Sequence, residues 1–100
     1  AVAQEAKRIV GEGPVYLTFD VDGLDPAYTP GTGTPEAGGI TMREAQRLIR
    51  AFSGVNLIGG DVVEVSPPLD PSGMTSLNGA TILFEILCLL AEHVTLPPIN

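Results

Sequence analysis

The order strand, helix, strand predicts an α/β fold in which a parallel sheet is flanked by helices in three layers, α/β/α. Three observations point there. Val15 to Val21 is apolar on both alternating faces, Val15, Leu17 and Phe19 against Tyr16 and Thr18, a pattern suited to a strand covered on both sides, as in parallel sheets. A helical pattern of about three turns separates it from a second apolar run, Val55 to Val65, so a right-handed crossover is the natural connection. The last segment is apolar almost all round, as expected of a helix buried between sheet and neighbours or at a subunit contact.

In chain order, Ala1 to Val10 holds good helix formers, with Val2, Ala6, Ile9 and Val10 as a short apolar stripe and Gly11 as the stop. Gly11 to Pro14 turns into the first strand. Gly23 to Ile40 is a long loop carrying Pro26, Pro30 and Pro35, and long rigid loops in compact domains tend to be functional. Thr41 opens the next helix, with Glu44 at capping-box spacing. Its core positions are Ala45, Leu48, Ile49 and Phe52, its solvated stripe is Arg43, Arg47 and Arg50, and Gly54 ends it. The second strand is interrupted at Gly59-Gly60, which permits a bend or a close backbone contact. A proline-rich loop, Ser66 to Met74, leads to the last helix, about Ser76 to Glu92. Cys88 reads there as a core residue, His93 as a cation at the helix end, and Thr95 to Asn100 as a proline-containing tail.

One hundred residues allow one domain at most. A 44% hydrophobic and 17% charged composition is that of a globular chain. A formal charge of -7 with five basic residues argues against a nucleic-acid partner, which needs cations along a phosphate track. One cysteine excludes an internal disulfide. The run Ile82 to Ala91, interrupted by Glu85, reads as too short to span a bilayer, so no membrane partner is expected. The chain opens at Ala1 inside a helical pattern, which reads as a piece of something longer or a processed product.

The chemistry concentrates in acids. Alternation puts Asp20 and Asp22 on one face at the end of the first strand, where two close carboxylates call for a proton or a cation between them. Carboxylate oxygens suit magnesium, calcium or manganese, and two bridged ions would supply hydroxide from water at neutral pH. Glu64 falls at the carboxyl end of the second strand, the edge where open α/β sheets place ligands. Its carboxylate matches the fork of a guanidinium. Because the one histidine, His93, reads as a cation at the exposed end of the last helix, a Ser-His-Asp arrangement is not available within these residues.

Thr18-Phe19-Asp20-Val21-Asp22-Gly23-Leu24-Asp25-Pro26, followed by Pro30-Gly31-Thr32-Gly33-Thr34-Pro35 and Gly38-Gly39-Ile40-Thr41, resembles the C-terminal signature of the ureohydrolase family, the arginases and agmatinases. Asp61-Val62-Val63-Glu64-Val65-Ser66-Pro67-Pro68 resembles the later strand of that family, so that the likeness runs from Pro14 to about Leu90. Glu36 and the Asp70-Pro71-Ser72-Gly73 loop are more similar to agmatinases than to arginases.

The resemblance implies the C-terminal part of an arginase-like fold, residues 1–100 forming a single partial domain, with two manganese ions in the complete site. It implies that Asp20 bridges the ions, that Asp22 binds one of them, that Glu64 holds the substrate guanidinium and that Thr34 lines the pocket beside it. Asp61 is the lesser candidate, a supporting carboxylate behind the ligands. A metal-bridging hydroxide would attack the guanidinium carbon, releasing urea and putrescine from agmatine, with a guanidino acid such as guanidinobutyrate as the alternative substrate. It also implies a homo-oligomer, trimer or hexamer, soluble and intracellular, in cytoplasm or mitochondrion. The family draws its remaining ligands and a proton-shuttling histidine from motifs nearer the N-terminus, so no catalytic residue is assigned within this chain and the isolated chain is expected to be inactive.

Three other readings compete. Phe19 to Leu24 also resembles the opening of haloacid-dehalogenase-type phosphatases, but Leu24 stands where a threonine is wanted and the only lysine, Lys7, lies upstream. A calcium-binding EF-hand started at Asp20 fails at its glycine and at its closing glutamate, which fall on Asp25 and Gly31. A non-catalytic truncated subunit is the remaining alternative.

Overall fold

The computed structural model describes residues 2 to 93. In order these form helix α1 (Val2–Val10), strand β1 (Val15–Asp20), a 3₁₀ turn (Val21–Gly23), helix α2 (Met42–Arg50), strand β2 (Leu57–Val63), a second 3₁₀ turn (Pro67–Leu69) and helix α3 (Met74–His93). The expected tail and the His93 side chain lie outside the described residues. The expected element order stands, and the parallel sheet flanked by helices is found. β1 ends one residue early, β2 is shorter at both ends, and α3 begins two residues early.

β1 and β2 pair in parallel, Asp20 opposite Val63, so both strands deliver their carboxyl ends to one edge. The register slips between Val15 and Tyr16, leaving Ile58 unpaired in the step from Leu57 to Gly59. That break in register lies immediately before the glycine pair at which the sequence suggested a bend or a close backbone contact. Gly60 is also where α3 comes down on the sheet. A Cβ there would lie 2.6 Å from Ile86 Cγ2 and 2.8 Å from the Leu17 carbonyl oxygen.

The core lies between the sheet, α2 and α3: Leu24, Ala45, Ile49, Val55, Leu57, Ile82, Ile86 and Leu89, with Val15, Leu17, Phe19 and Val62 packed on it. Each fully buried aliphatic side chain of this kind contributes about 1.5–3 kcal/mol. α2 begins with the capping box the sequence predicts: Thr41 Oγ1 accepts from the Glu44 amide at 3.1 Å, and Glu44 Oε1 from the Thr41 amide at 3.0 Å.

Several apolar faces are more exposed among the described residues than the sequence pattern suggests. β1 is half-buried on its Val15, Leu17, Phe19 face and exposed on the other, with Tyr16 58% exposed. The stripe expected on α1 is turned out (Val2, Ile9 and Val10 are exposed) and Ala3 is the buried residue. α3 buries Thr75, Ile82, Glu85, Ile86 and Leu89 while Leu77, Phe84 and Leu87 are exposed, and Cys88 is exposed rather than in the core. α3 as a whole is long and apolar enough to cross a membrane by length and composition, contrary to the shorter run read from the sequence. It packs against β2 and α2 here.

Nor is the arginine stripe of α2 wholly solvated. Arg50 donates from Nε (2.9 Å) and Nη2 (2.7 Å) to the buried Glu85 carboxylate, which also accepts from Gln46 at 3.2 Å. Those bonds, the Arg50 pair foremost, hold the Glu85 carboxyl below its ordinary value against the opposing effect of burial. A buried carboxylate is costly unless paired and hydrogen-bonded, and here it is both.

α3 opens on a buried polar knot. Asp70 Oδ1 accepts from Ser72 (amide 3.1 Å, hydroxyl 2.5 Å), and Oδ2 accepts from Thr75 (amide 2.7 Å, hydroxyl 2.6 Å). The Ser72 and Thr75 hydroxyls, in that order, lead the bonds that bring the Asp70 carboxyl down to about 2 from an ordinary 3.8.

Two outcomes follow from this packing. Gly60→Ala should lower stability by about 1–3 kcal/mol through overpacking against Ile86, read as a fall in the denaturation midpoint of the full-length protein; an unchanged midpoint would refute the close approach. Because the folded pKa of Asp70 is depressed, its contribution is complete above the unfolded value and is lost as pH falls from about 4 towards 2. Urea titrations should therefore show a stability gap between wild type and Asp70→Asn that is constant above about pH 5 and shrinks below it.

Candidate metal and substrate site

At the carboxyl edge of β1 the chain does not continue extended. Val21 is fully buried, which pulls the backbone inward into the 3₁₀ turn. Asp20 caps that turn, its Oδ1 accepting from the Asp22 amide at 2.8 Å, the role in which aspartate is favoured. Asp20 and Asp22 are thus brought to one end of the sheet by a capped turn, not by the strand alternation the sequence suggested. Asp20 is exposed on the Tyr16, Thr18 face, and Asp22 is half-buried under the loop that follows.

That loop, Gly23 to Ile40, is closed at its base. The Asp25 amide donates to the Ile40 carbonyl (2.9 Å) and the Ile40 amide to the Gly23 carbonyl (3.1 Å). The Asp25 carboxylate accepts from the Ala27 and Gly38 amides at 2.9 and 3.0 Å, which hold its carboxyl below the usual range. Its interior is pinned as well: Thr29 Oγ1 donates to the Val21 carbonyl (2.9 Å), Asn78 Nδ2 to the Tyr28 carbonyl (2.7 Å), and the Gly31 amide to Thr75 Oγ1 (2.7 Å). Gly31 has no room for a side chain, since a Cβ would meet Asp70 Cβ at 2.6 Å.

So anchored, the loop lays two hydroxyls on Asp22. Thr32 Oγ1 donates to Oδ1 and Thr34 Oγ1 to Oδ2. The Thr32 bond, and after it the Thr34 bond, hold the Asp22 carboxyl below its ordinary value, because a hydrogen bond to the charged form favours that form.

Glu64 follows Val63, the register partner of Asp20, and so stands at the same sheet edge. It is exposed, with φ of 72°. A glutamate in this left-handed region costs about 1–3 kcal/mol and is found where the surroundings over-determine the backbone, often at functional sites. Asp61 lies on the Asp20 face two rows back, accepting from Tyr16 OH at 2.9 Å and from Thr18 Oγ1. That bond raises the Tyr16 phenol above its ordinary value.

Of the residues singled out in the sequence, Asp20, Asp22 and Thr34 are joined by hydrogen bonds and Glu64 shares their edge. Among the described residues no hydrogen bond links Thr34 to Glu64. Sequence reasoning missed Thr32, Thr75 and the structural part played by Asp70. Its one available signal was the density of hydroxyl residues in Thr29 to Thr34 and around the acid in Asp70 to Thr75. The donor chemistry of Asp20 and Asp22 fits a hard divalent ion, and threonine bonds to a carboxylate are the kind of support that orients a ligand. They are a partial set: among the described residues no group of three or more histidine, cysteine or acidic side chains could hold a metal ion.

The sequence model of the arginase family matches residues 1–89. A guanidinopropionase of Pseudomonas aeruginosa is 62% identical over 92 residues, covering 92% of this chain and 29% of that protein. A guanidinobutyrase of the same organism is 59% identical over 86 residues, covering 86% and 27%. In structure, a hypothetical agmatinase from Burkholderia thailandensis superposes with a TM-score of 0.82 at 50% identity, over 88% of this chain and 28% of that one. This chain thus spans less than a third of the length of the relatives it matches, and by sequence and by fold it belongs to the arginase family.

Proposed function

We propose that these residues form part of a manganese-dependent ureohydrolase that splits the guanidinium group of a small guanidino compound into urea and a primary amine. The observation that carries the reading is the shared edge: Asp20 and Asp22 at the end of β1, and Glu64 one residue past the register partner of Asp20. When bound, two divalent ions would supply Lewis acidity and an activated water at neutral pH. Asp20 and Asp22 would hold them, with further ligands from the part of the domain that this chain does not span. Glu64 would orient the substrate through two charge-assisted bonds to its guanidinium, and its strained backbone fits a position fixed for function rather than stability. Thr34, exposed above Asp22, would line the same pocket. Asp61 is a supporting carboxylate on the Asp20 face, and no proton-transfer residue is assigned here.

The substrate favoured is a three- or four-carbon guanidino acid, since the relatives at 62% and 59% identity are named guanidinopropionase and guanidinobutyrase. Agmatine, the substrate implied by the sequence motifs, is the second reading, supported by the likeness to the agmatinase structure. The exposed apolar side chains of α1 and α3 fit a protein that buries them in a longer chain and a homo-oligomer, and the enzyme is proposed to work in cytoplasm or mitochondrion.

With manganese, the full-length protein should release urea from 3-guanidinopropionate or 4-guanidinobutyrate faster than from agmatine. The reverse order would select the second reading, and no urea from any of the three would overturn both. Glu64→Gln should raise KM about 10- to 100-fold, the loss of about 1.5–3 kcal/mol of charge-assisted bonding. Metal affinity should not change; a variant with normal KM would remove Glu64 from the substrate site.

A further inference from the structure

We propose that Thr32 is a positioning residue that sets the rotation of the Asp22 carboxylate, an inference that rests on Asp22 being a metal ligand. The two threonines on Asp22 are not equivalent. Thr32 is 3% exposed and bonds Oδ1, whereas Thr34 is exposed and bonds Oδ2. Thr32 also follows the most tightly held backbone of the loop. The Gly31 amide is bound to Thr75 Oγ1 at 2.7 Å and its carbonyl accepts from the Ser66 amide at 2.7 Å. The peptide that leads into Thr32 is therefore held in place while the Thr32 hydroxyl bonds Asp22 Oδ1. A hydroxyl has one proton to donate, and here a buried donor spends it on a single carboxylate oxygen. Oδ1 is held by a buried donor and Oδ2 by an exposed one, so Oδ2 is the oxygen whose partner could be exchanged for an ion. Orientation of this kind, from a neighbour that never touches the metal, is worth about 10- to 100-fold in affinity.

The test is the affinity of the metal-free, full-length protein for Mn2+, read from the electron paramagnetic resonance of the free ion. Thr32→Val keeps the volume and removes the donor, and should weaken binding about 10- to 100-fold, while Thr32→Ser restores it to within about threefold of wild type. Thr32→Ala carries the same comparison if the valine does not fold. Thr29→Val is the structural control: it removes another buried hydroxyl from the loop, bound to the Val21 carbonyl, and should lower the unfolding midpoint without changing Mn2+ affinity. Thr32→Val binding like wild type, or Thr29→Val weakening binding equally, would overturn the inference. Asp22→Asn separates the two levels. If it binds Mn2+ normally, the ligand reading fails and takes the Thr32 inference with it; if it binds weakly and Thr32→Val does not, only the Thr32 inference fails.

Discussion

The fully buried hydroxyl of Thr75 is the contact on which the site depends. It donates to Asp70 Oδ2 at 2.6 Å and accepts from the Gly31 amide at 2.7 Å, so one oxygen ties the start of α3 to a loop more than forty residues earlier. Each partner solves a separate problem. Asp70 satisfies backbone donors at the start of a long helix, where the first amides have no intrahelical acceptor. Gly31, lacking a Cβ, lets the loop come within contact of both side chains. Buried hydrogen-bond networks of this kind are strong when complete and costly when broken. Among the described residues every buried side-chain nitrogen and oxygen has a partner, so this one is complete.

From that anchor the arrangement of the acids follows by short steps. Gly31 fixes Thr32, Thr32 bonds Asp22, and the Asp22 amide is capped by Asp20 at the end of β1. Parallel pairing does the rest, bringing the end of β2, and with it Glu64, level with Asp20. The cost is local and concentrated at one position: Glu64 occupies a backbone region that glycine would enter freely. Rigidity on one strand and strain on the next are compatible with binding chemistry that needs fixed distances between groups.

The opposite end of the domain shows another use of polar burial. Arg50 and Glu85 join α2 to α3 with a two-pronged pair, and Gln46 adds a third bond to the same carboxylate. Planar guanidinium and carboxylate groups match in geometry as well as charge. A glutamate inside an apolar helix is thereby accommodated in the packing rather than excluded from it.

Much of the fold was legible in the sequence. The strand-helix-strand order, the capping box at Thr41 and Glu44, the close backbone contact at Gly59-Gly60 and the placing of Asp20 and Glu64 at strand ends all follow from local propensity, periodicity and turn chemistry, which act over a few residues. The family likeness was legible too, because its motifs are contiguous. What only the tertiary structure decided is which apolar faces meet a neighbour, that Arg50 reaches Glu85, that Cys88 is exposed, and that Asp22 is placed by a turn and held by Thr32 and Thr34. These depend on contacts between residues ten to fifty positions apart. The free energy of such contacts comes from burial and from hydrogen bonds formed on folding, for which side-chain periodicity carries no record.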